Sequence, residues 1–101
     1  MPVSCTTNDR TLLASIYGDI DHHGAKGIMQ ELERQIDRAL PHSLILDCSG
    51  ITFMDSSGIA VLLRAYHRMG ALGGKVSATG LPAQPAKVLR AAGLDRLITL
   101  E

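Results

Sequence analysis

The N-terminal part of the chain alternates between apolar and polar side chains, which is the pattern of half-buried β-strands. Residues 3–6 predict a first strand and residues 11–17 a second, with the turn residues Asn8 and Asp9 between them. The side chains expected on the buried face of the second strand are those of Leu12, Ala14 and Ile16. Two strands joined through a short polar turn indicate a β-hairpin.

The spacing of apolar residues then changes to that of an amphipathic helix. We expect Gly18 to end the second strand and Asp21 to occupy the N-cap of the helix. The apolar positions that form its single stripe are Ile28, Met29, Leu32, Ile36, Ala39 and Leu40. Pro41 should end the helix, because the residue before a proline is driven out of helical geometry.

A run of consecutive aliphatic residues at 44–46 predicts a central strand that is covered on both faces, or nearly so. Residues 49–55 are then expected to form a loop, and a second helix should begin at about Ser56. The residues expected on its inner face are Ile59, Leu62, Leu63, Tyr66 and Met69. The glycines expected to end it are Gly70, Gly73 and Gly74.

The remaining residues predict one more helix between two strands. Residues 76–79 form the first of these strands, and Pro82 and Pro85 suit the start of the helix. Gly93 is placed to cap the helix, and residues 97–100 supply the last strand. The resulting order β-β-α-β-α-β-α-β predicts an α/β fold, a mixed sheet with right-handed crossovers and helices packed mainly on one face.

Length and composition limit this fold to one domain over residues 1–101. Apolar residues make up 46% of the chain and aromatic residues only 3%, so the core must be aliphatic. The formal net charge is zero, which gives no sign of a nucleic-acid partner or an anionic membrane. Because neither a membrane-length apolar stretch nor a signal peptide is evident, we expect a cytoplasmic protein.

The two cysteines, Cys5 and Cys48, have no spacing that suggests metal or redox chemistry. We expect both to be reduced thiols that pack as small hydrophobic side chains. A disulfide between them is the alternative, which a cytoplasmic location disfavours.

The segment 51–59 carries the most informative chemistry, because it joins the central strand to the second helix. Open α/β sheets place functional sites at the carboxyl ends of their strands. Free backbone N–H groups and the positive end of the helix dipole also face this position. Asp55, Ser56 and Ser57 are all favourable N-cap residues, so a simple helix cap explains part of the pattern.

Three neighbouring residues suggest more than a cap. Phe53 and Met54 are expected to fix the loop to the core and thereby set the direction of the serines. Gly58 would let the backbone of another protein approach closely. From the residues alone, a helix cap and a functional site both remain open.

The sequence DSSGI at residues 55–59, after Phe53-Met54, resembles the signature of STAS domains. More narrowly, the chain resembles the bacterial anti-sigma factor antagonists, also called anti-anti-sigma factors. The resemblance covers essentially the whole chain, and its other matching segments are residues 18–21, 44–47, 73–76 and 92–94. The pair His22-His23 is similar to the sporulation branch of that family.

This resemblance implies a switch made of three proteins. The unmodified antagonist binds an anti-sigma factor that is also a serine kinase, and the sigma factor is released. The kinase then phosphorylates the serine that follows the aspartate, which is Ser56 in this chain. A phosphatase later restores the hydroxyl, and no cofactor or metal is implied for the antagonist. The residues expected to contact the partner or shape the docking loop are Asp21, Asp55, Ser57, Gly58 and Ile59.

Elementary electrostatics agrees with such a switch. A phosphate adds about −1.5 to −2 charges at neutral pH, and the helix N-terminus partly accommodates them. Asp55 and Asp21 would make the surroundings strongly negative where the partner docks. Release would then follow from repulsion and lost contact at an interface, without a large conformational change. For Asp21, a plain N-cap and a kinase contact both stay open.

An enzyme is a weaker interpretation of the same residues. Ser56, Asp55 and one of His22, His23 or His67 would have to form a hydrolase triad. The Gly-x-Ser-x-Gly elbow is absent, and Asp55 adjoins the serine instead of orienting a histidine. We therefore expect no catalytic activity.

Two further alternatives use other features of the chain. A metal site at His22-His23 lacks a third ligand at suitable spacing, and adjacent helical residues point about 100° apart. A STAS domain can also serve as a ligand sensor, a stressosome component or the cytoplasmic tail of an anion transporter. The absence of membrane helices and of a sensor domain in this chain favours the stand-alone antagonist.

Overall fold

The computed structural model of the protein describes residues 2–101, which form a five-stranded mixed sheet in the order β1-β2-β3-β4-β5. The strands are β1 (Val3–Asn8), β2 (Thr11–Ile20), β3 (Ser43–Met54), β4 (Lys75–Thr79) and β5 (Thr99–Leu100). The helices are α1 (Ala25–Ala39), α2 (Ser56–Ala71) and α3 (Ala83–Ala91), and a 3₁₀ turn at Leu94–Arg96 precedes β5. β1 pairs antiparallel with β2, and the other neighbours are parallel. The predicted element order and mixed sheet are confirmed.

The helices form one layer against one face of the sheet. α2 packs against both α1 and α3, and all three helices contribute to the same aliphatic core. Burial alternates along β2, where Leu12, Ala14 and Ile16 are completely buried as predicted. Leu13, between them, remains 38% exposed on the opposite face. The fold therefore buries only one face of the sheet.

β3 differs from the expected strand with two covered faces. Leu44 and Leu46 are fully buried under the helices, whereas Ile45 points to the opposite face and is only partly buried. β3 is interior because it pairs with β2 on one side and β4 on the other. The uninterrupted aliphatic run reflects this central position and not a second layer of helices.

The central strands are also longer than predicted. Gly18 does not end β2, because its positive φ of 82° is accommodated within the strand beside a register shift. Residues 49–55 are not a loop either, since β3 continues to Met54 through parallel pairing with β2. Two register irregularities allow this pairing to continue. The predicted loop thus shrinks to Asp55, the one residue between β3 and α2.

The ends of α1 differ in how well they could be predicted. The helix ends after Ala39, as expected before Pro41, and Leu40 takes a left-handed conformation with φ 46°. Its start lies at Ala25, with Gly24 as the N-cap, so the prediction of Asp21 as N-cap is wrong. Asp21 instead caps the turn that leads into the helix. Its carboxylate accepts the backbone N–H groups of His23 at 3.0 Å and Gly24 at 2.9 Å.

The C-terminal elements follow the prediction with shorter ends. Gly93 follows the C-cap residue Ala92 of α3 and takes φ 80°, which is the left-handed conformation expected of a helix-ending glycine. β5 contains only Thr99 and Leu100, because the N–H groups of Leu97 and Ile98 donate back to the carbonyl of Leu94 in the 3₁₀ turn, at 3.0 and 2.9 Å. Within residues 2–101, no helix is both long and apolar enough to cross a membrane.

Both cysteines are free thiols, in agreement with the sequence-based expectation. Cys48 is fully buried in the core, and Cys5 is partly buried against it. Burial raises the pKa of Cys48 to about 12, so this thiol stays protonated and unreactive at neutral pH.

Candidate functional site

The candidate site lies where β2 and β3 end side by side. Ile20 and Met54, the last residues of the two strands, are direct partners in the parallel ladder. The backbone N–H of Asp55 then donates to the carbonyl of Ile20 at 3.1 Å. Asp21 and Asp55 therefore begin neighbouring connections at the same edge of the sheet, and Ser56 follows Asp55 directly.

Asp55 is the N-cap of α2, which leaves the two serines free of that role. Its backbone is extended, and its carboxylate accepts the backbone N–H of Ser57 at 2.7 Å. Its carbonyl accepts the N–H of Gly58 at 3.0 Å. A cap thus explains Asp55, but it gives no reason for a hydroxyl at either following position.

Ser56 is the first residue of α2 and is exposed, so its hydroxyl lies outside the core at the helix N-terminus. The predicted position of Ser56 in the first turn is confirmed. Ser57 is only partly exposed. Of the two hydroxyls, the one on Ser56 is the more accessible to another protein. Ile59, in the following turn, packs against the core and is partly buried.

Met54 and Gly58 hold this junction from the inside. Met54 is completely buried, whereas Phe53 is 44% exposed, so only Met54 anchors the segment as predicted. Gly58 is buried as well, and a Cβ atom there would overlap Met54 Cγ and lie 2.6 Å from its sulfur. The packing of Met54 therefore requires a glycine at position 58. The structural role of Gly58 is to make room for Met54, and not to give access to a partner's backbone as predicted.

Gln84, near the start of α3, also supports the end of β3. Its side-chain Oε1 accepts the N–H of Met54 at 2.9 Å, and its Nε2 donates to the carbonyl of Met54 at 2.7 Å. Sequence reasoning did not identify Gln84. The two partners are 30 residues apart, and no motif marks a surface glutamine as a backbone ligand.

Asp21 brings a second carboxylate to the site. The N–H of Gly24 is the main cause that lowers the pKa of Asp21, and the N–H and charge of His23 act in the same direction. Asp21 therefore remains ionised at neutral pH and below. A negative charge is present beside the connection that carries Ser56.

A surface cleft of about 500 Å³ opens beside Ser57, between the starts of α1 and α2. Its lining includes His22, His23, Lys26 and Met29. The two imidazole rings lie edge to face, with centroids 5.7 Å apart. Among residues 2–101, no three His, Cys, Asp or Glu side chains come together as a metal site would require.

The geometry does not assemble a triad with His67. This histidine lies on the exposed surface of α2, beside the Tyr66 ring. It is about 16 Å further along the helix axis than Ser56, at 1.5 Å per residue. The carboxylate of Asp55 already accepts the backbone N–H of Ser57 as the helix N-cap.

Comparison with known proteins places the chain in a family. Residues 3–101 match the model of the STAS domain, and the chain belongs to this family. It is 25% identical over 89 residues to the anti-sigma F factor antagonist of Paenibacillus polymyxa, covering 88% of this chain and 76% of that protein. The suspected resemblance is thereby confirmed at the level of the family.

The fold is shared with solved structures of the Bacillus protein SpoIIAA. The unphosphorylated form superimposes with a TM-score of 0.83 at 22% identity, over 98% of this chain and 87% of that chain. The phosphorylated form gives a TM-score of 0.74 at 22% identity, over 98% and 90% of the two chains.

The contact between Gly58 and Met54 predicts opposite effects for two glycine substitutions. In Gly58→Ala, the added methyl group overlaps Met54, and overpacking of this kind costs about 1–3 kcal/mol. Over most of that range, the cost exceeds the gain of about 1 kcal/mol from replacing a helical glycine by alanine. Gly58→Ala should therefore lower the free energy of unfolding measured in urea.

Gly27→Ala is the matched control, because nothing lies within 4 Å of a Cβ atom at this exposed position of α1. We expect it to raise the free energy of unfolding by up to about 1 kcal/mol. An equal increase for Gly58→Ala would contradict the packing role of Gly58.

Proposed function

We propose that the protein is an anti-sigma factor antagonist whose activity is controlled at Ser56. Its unphosphorylated form binds an anti-sigma factor that is also a serine kinase, and this binding releases the sigma factor. Phosphorylation of Ser56 by that kinase ends the interaction, and a serine phosphatase restores it. The protein acts in the cytoplasm as the substrate of these enzymes and is not an enzyme itself.

The observation that supports this proposal is that the exposed Ser56 hydroxyl lies at the junction of β3 and α2, which other residues hold in place. Asp55 caps α2, and Met54 is buried beneath it, so the Ser56 side chain is needed neither for the helix cap nor for core packing. A kinase can reach the side chain without unfolding the strand or the helix. Transfer of a phosphoryl group depends strongly on such positioning.

Charge explains how phosphorylation would weaken docking. The phosphate would lie at the N-terminus of α2, where the helix dipole partly stabilises it. Asp55 precedes it, and the ionised Asp21 lies on the adjacent connection. Added to these carboxylates, about −1.5 to −2 charges would exceed the negative charge that the partner surface can accommodate, and the phosphate would be costly to desolvate in any interface.

The docking surface that we propose combines residues of the two neighbouring connections. Asp21, Asp55 and Ser57 would contact the partner around Ser56. Gly58 and Ile59 would shape this surface from the protein interior, because Gly58 is buried and Ile59 packs against the core. The names of the relatives support this function, since the Paenibacillus protein is an anti-sigma F factor antagonist and SpoIIAA occurs in a phosphorylated form.

We further propose a role in sporulation, which the resemblance of the histidine pair to the sporulation branch supports. His22 and His23 line the cleft beside Ser57, next to the proposed docking surface. The partner would therefore be the anti-sigma factor of a sporulation sigma factor. Neither direct binding of nucleic acid nor membrane association is part of the proposal.

The proposal predicts that the two adjacent serines respond differently to the kinase. After incubation with ATP and the partner kinase, mass spectrometry should locate phosphate on Ser56 of the wild-type protein. Ser56→Ala should still bind the kinase but accept no phosphate, because only the acceptor hydroxyl is lost. Ser57→Ala should remain a substrate and lose at most about 1 kcal/mol of stability. Phosphate on Ser57, or undiminished labelling of Ser56→Ala, would contradict the assignment.

Substitution of Asp21 tests the second connection. Asp21→Lys should weaken binding to the kinase, measured by calorimetry, because it reverses a charge beside Ser56. Asp21→Asn should bind with intermediate affinity, since it removes the charge but keeps an oxygen that can accept the N–H groups of His23 and Gly24. Asp95→Lys, at an exposed position in the 3₁₀ turn, is the control. Unchanged affinity of Asp21→Lys would remove this residue from the interface.

A further inference from the structure

The end of β3 lacks a strand on one side. β4 stops at Thr79, which pairs with Asp47, whereas β3 continues to Met54 beside β2. The N–H and C=O groups of Met54 are left facing the open side, because the next N–H, that of Asp55, already bonds to Ile20 of β2. A buried backbone group without a partner destabilises the fold, so this edge needs one.

Gln84 supplies both missing hydrogen bonds from α3. Its amide accepts from the N–H of Met54 at 2.9 Å and donates to the C=O of the same residue at 2.7 Å. A primary amide thus occupies the position that a neighbouring strand would fill. It does so at the residue immediately before Asp55 and two residues before Ser56.

We propose that Gln84 is a positioning residue for phosphoryl transfer to Ser56, a role that rests on the proposed function. Met54 is restrained on three sides: its side chain by packing against Gly58, the following peptide by Ile20, and its own peptide by Gln84. Without the amide, the peptide of Met54 has no protein partner on the open edge, and the strand end is free to shift. Asp55 and Ser56 would shift with it.

Gln84 acts on the rate of transfer through position alone. Its amide is occupied by Met54 and does not touch the reacting hydroxyl. Loss of Gln84 should therefore lower kcat and leave KM for the antagonist nearly unchanged. A displacement of about 1 Å from reactive geometry is enough to slow an enzymatic step by on the order of a hundredfold.

Gln84→Met is the direct test, because methionine has a similar length and no hydrogen-bonding amide. We expect kcat for phosphorylation by the partner kinase and ATP to fall on the order of tenfold or more, with KM changed less than twofold. Gln30→Met, at an exposed position on α1, makes the same chemical change as a control and should leave both constants unchanged. If Gln84→Met does not fold, Gln84→Glu applies the test, since it keeps the acceptor for the Met54 N–H but replaces the donor to Met54 C=O by a negatively charged oxygen that this carbonyl repels.

Amide hydrogen exchange tests the restraint without the kinase. In Gln84→Met, the N–H of Met54 should exchange faster than in the wild type, while amides in the first half of β3, such as Leu46, should be unchanged. An equal kcat for Gln84→Met and wild type, or unchanged exchange at Met54, would overturn the role of Gln84. If the wild-type protein accepts no phosphate at Ser56, the proposed function fails and this role fails with it, whereas the exchange result still reports the hydrogen bonds.

Discussion

The parallel pairing of β2 with β3 continues to the last residue of both strands, where Ile20 lies opposite Met54. The two connections that follow must therefore begin side by side. One contains Asp21 and leads into α1, and the other is the single residue Asp55 before α2. Because the second connection is so short, the direction of β3 directly determines where α2 begins and where the Ser56 hydroxyl lies.

Each residue around this junction has a different structural role. Asp55 satisfies the helix N-terminus, Met54 fills the core, and Gly58 provides the space that Met54 occupies. Gln84 completes the hydrogen bonding of the strand end from a third element. Ser56 is left exposed and without a structural role, so a modification there changes the charge of the surface and not the packing of the domain.

Much of this could be predicted from the sequence, because local periodicity determines local structure. The stripe of α1, apart from the exposed Leu40, and the position of Ser56 at a helix start followed from spacing and capping preference. The length of β3 could not be predicted in this way, because its second half is held by pairing with β2 despite a glycine. The roles of Gly58 and Gln84 also depend on contacts between distant segments, which no local pattern encodes.

The central claim is that phosphate on Ser56 controls binding of an anti-sigma factor kinase. The most direct measurement is calorimetric titration of that kinase with the unmodified protein and with protein fully phosphorylated at Ser56. The account predicts an affinity weaker by on the order of tenfold or more for the phosphorylated form, with far-UV circular dichroism unchanged. High salt should reduce this difference, because repulsion between surface charges is screened. Equal affinities for the two forms would contradict the account.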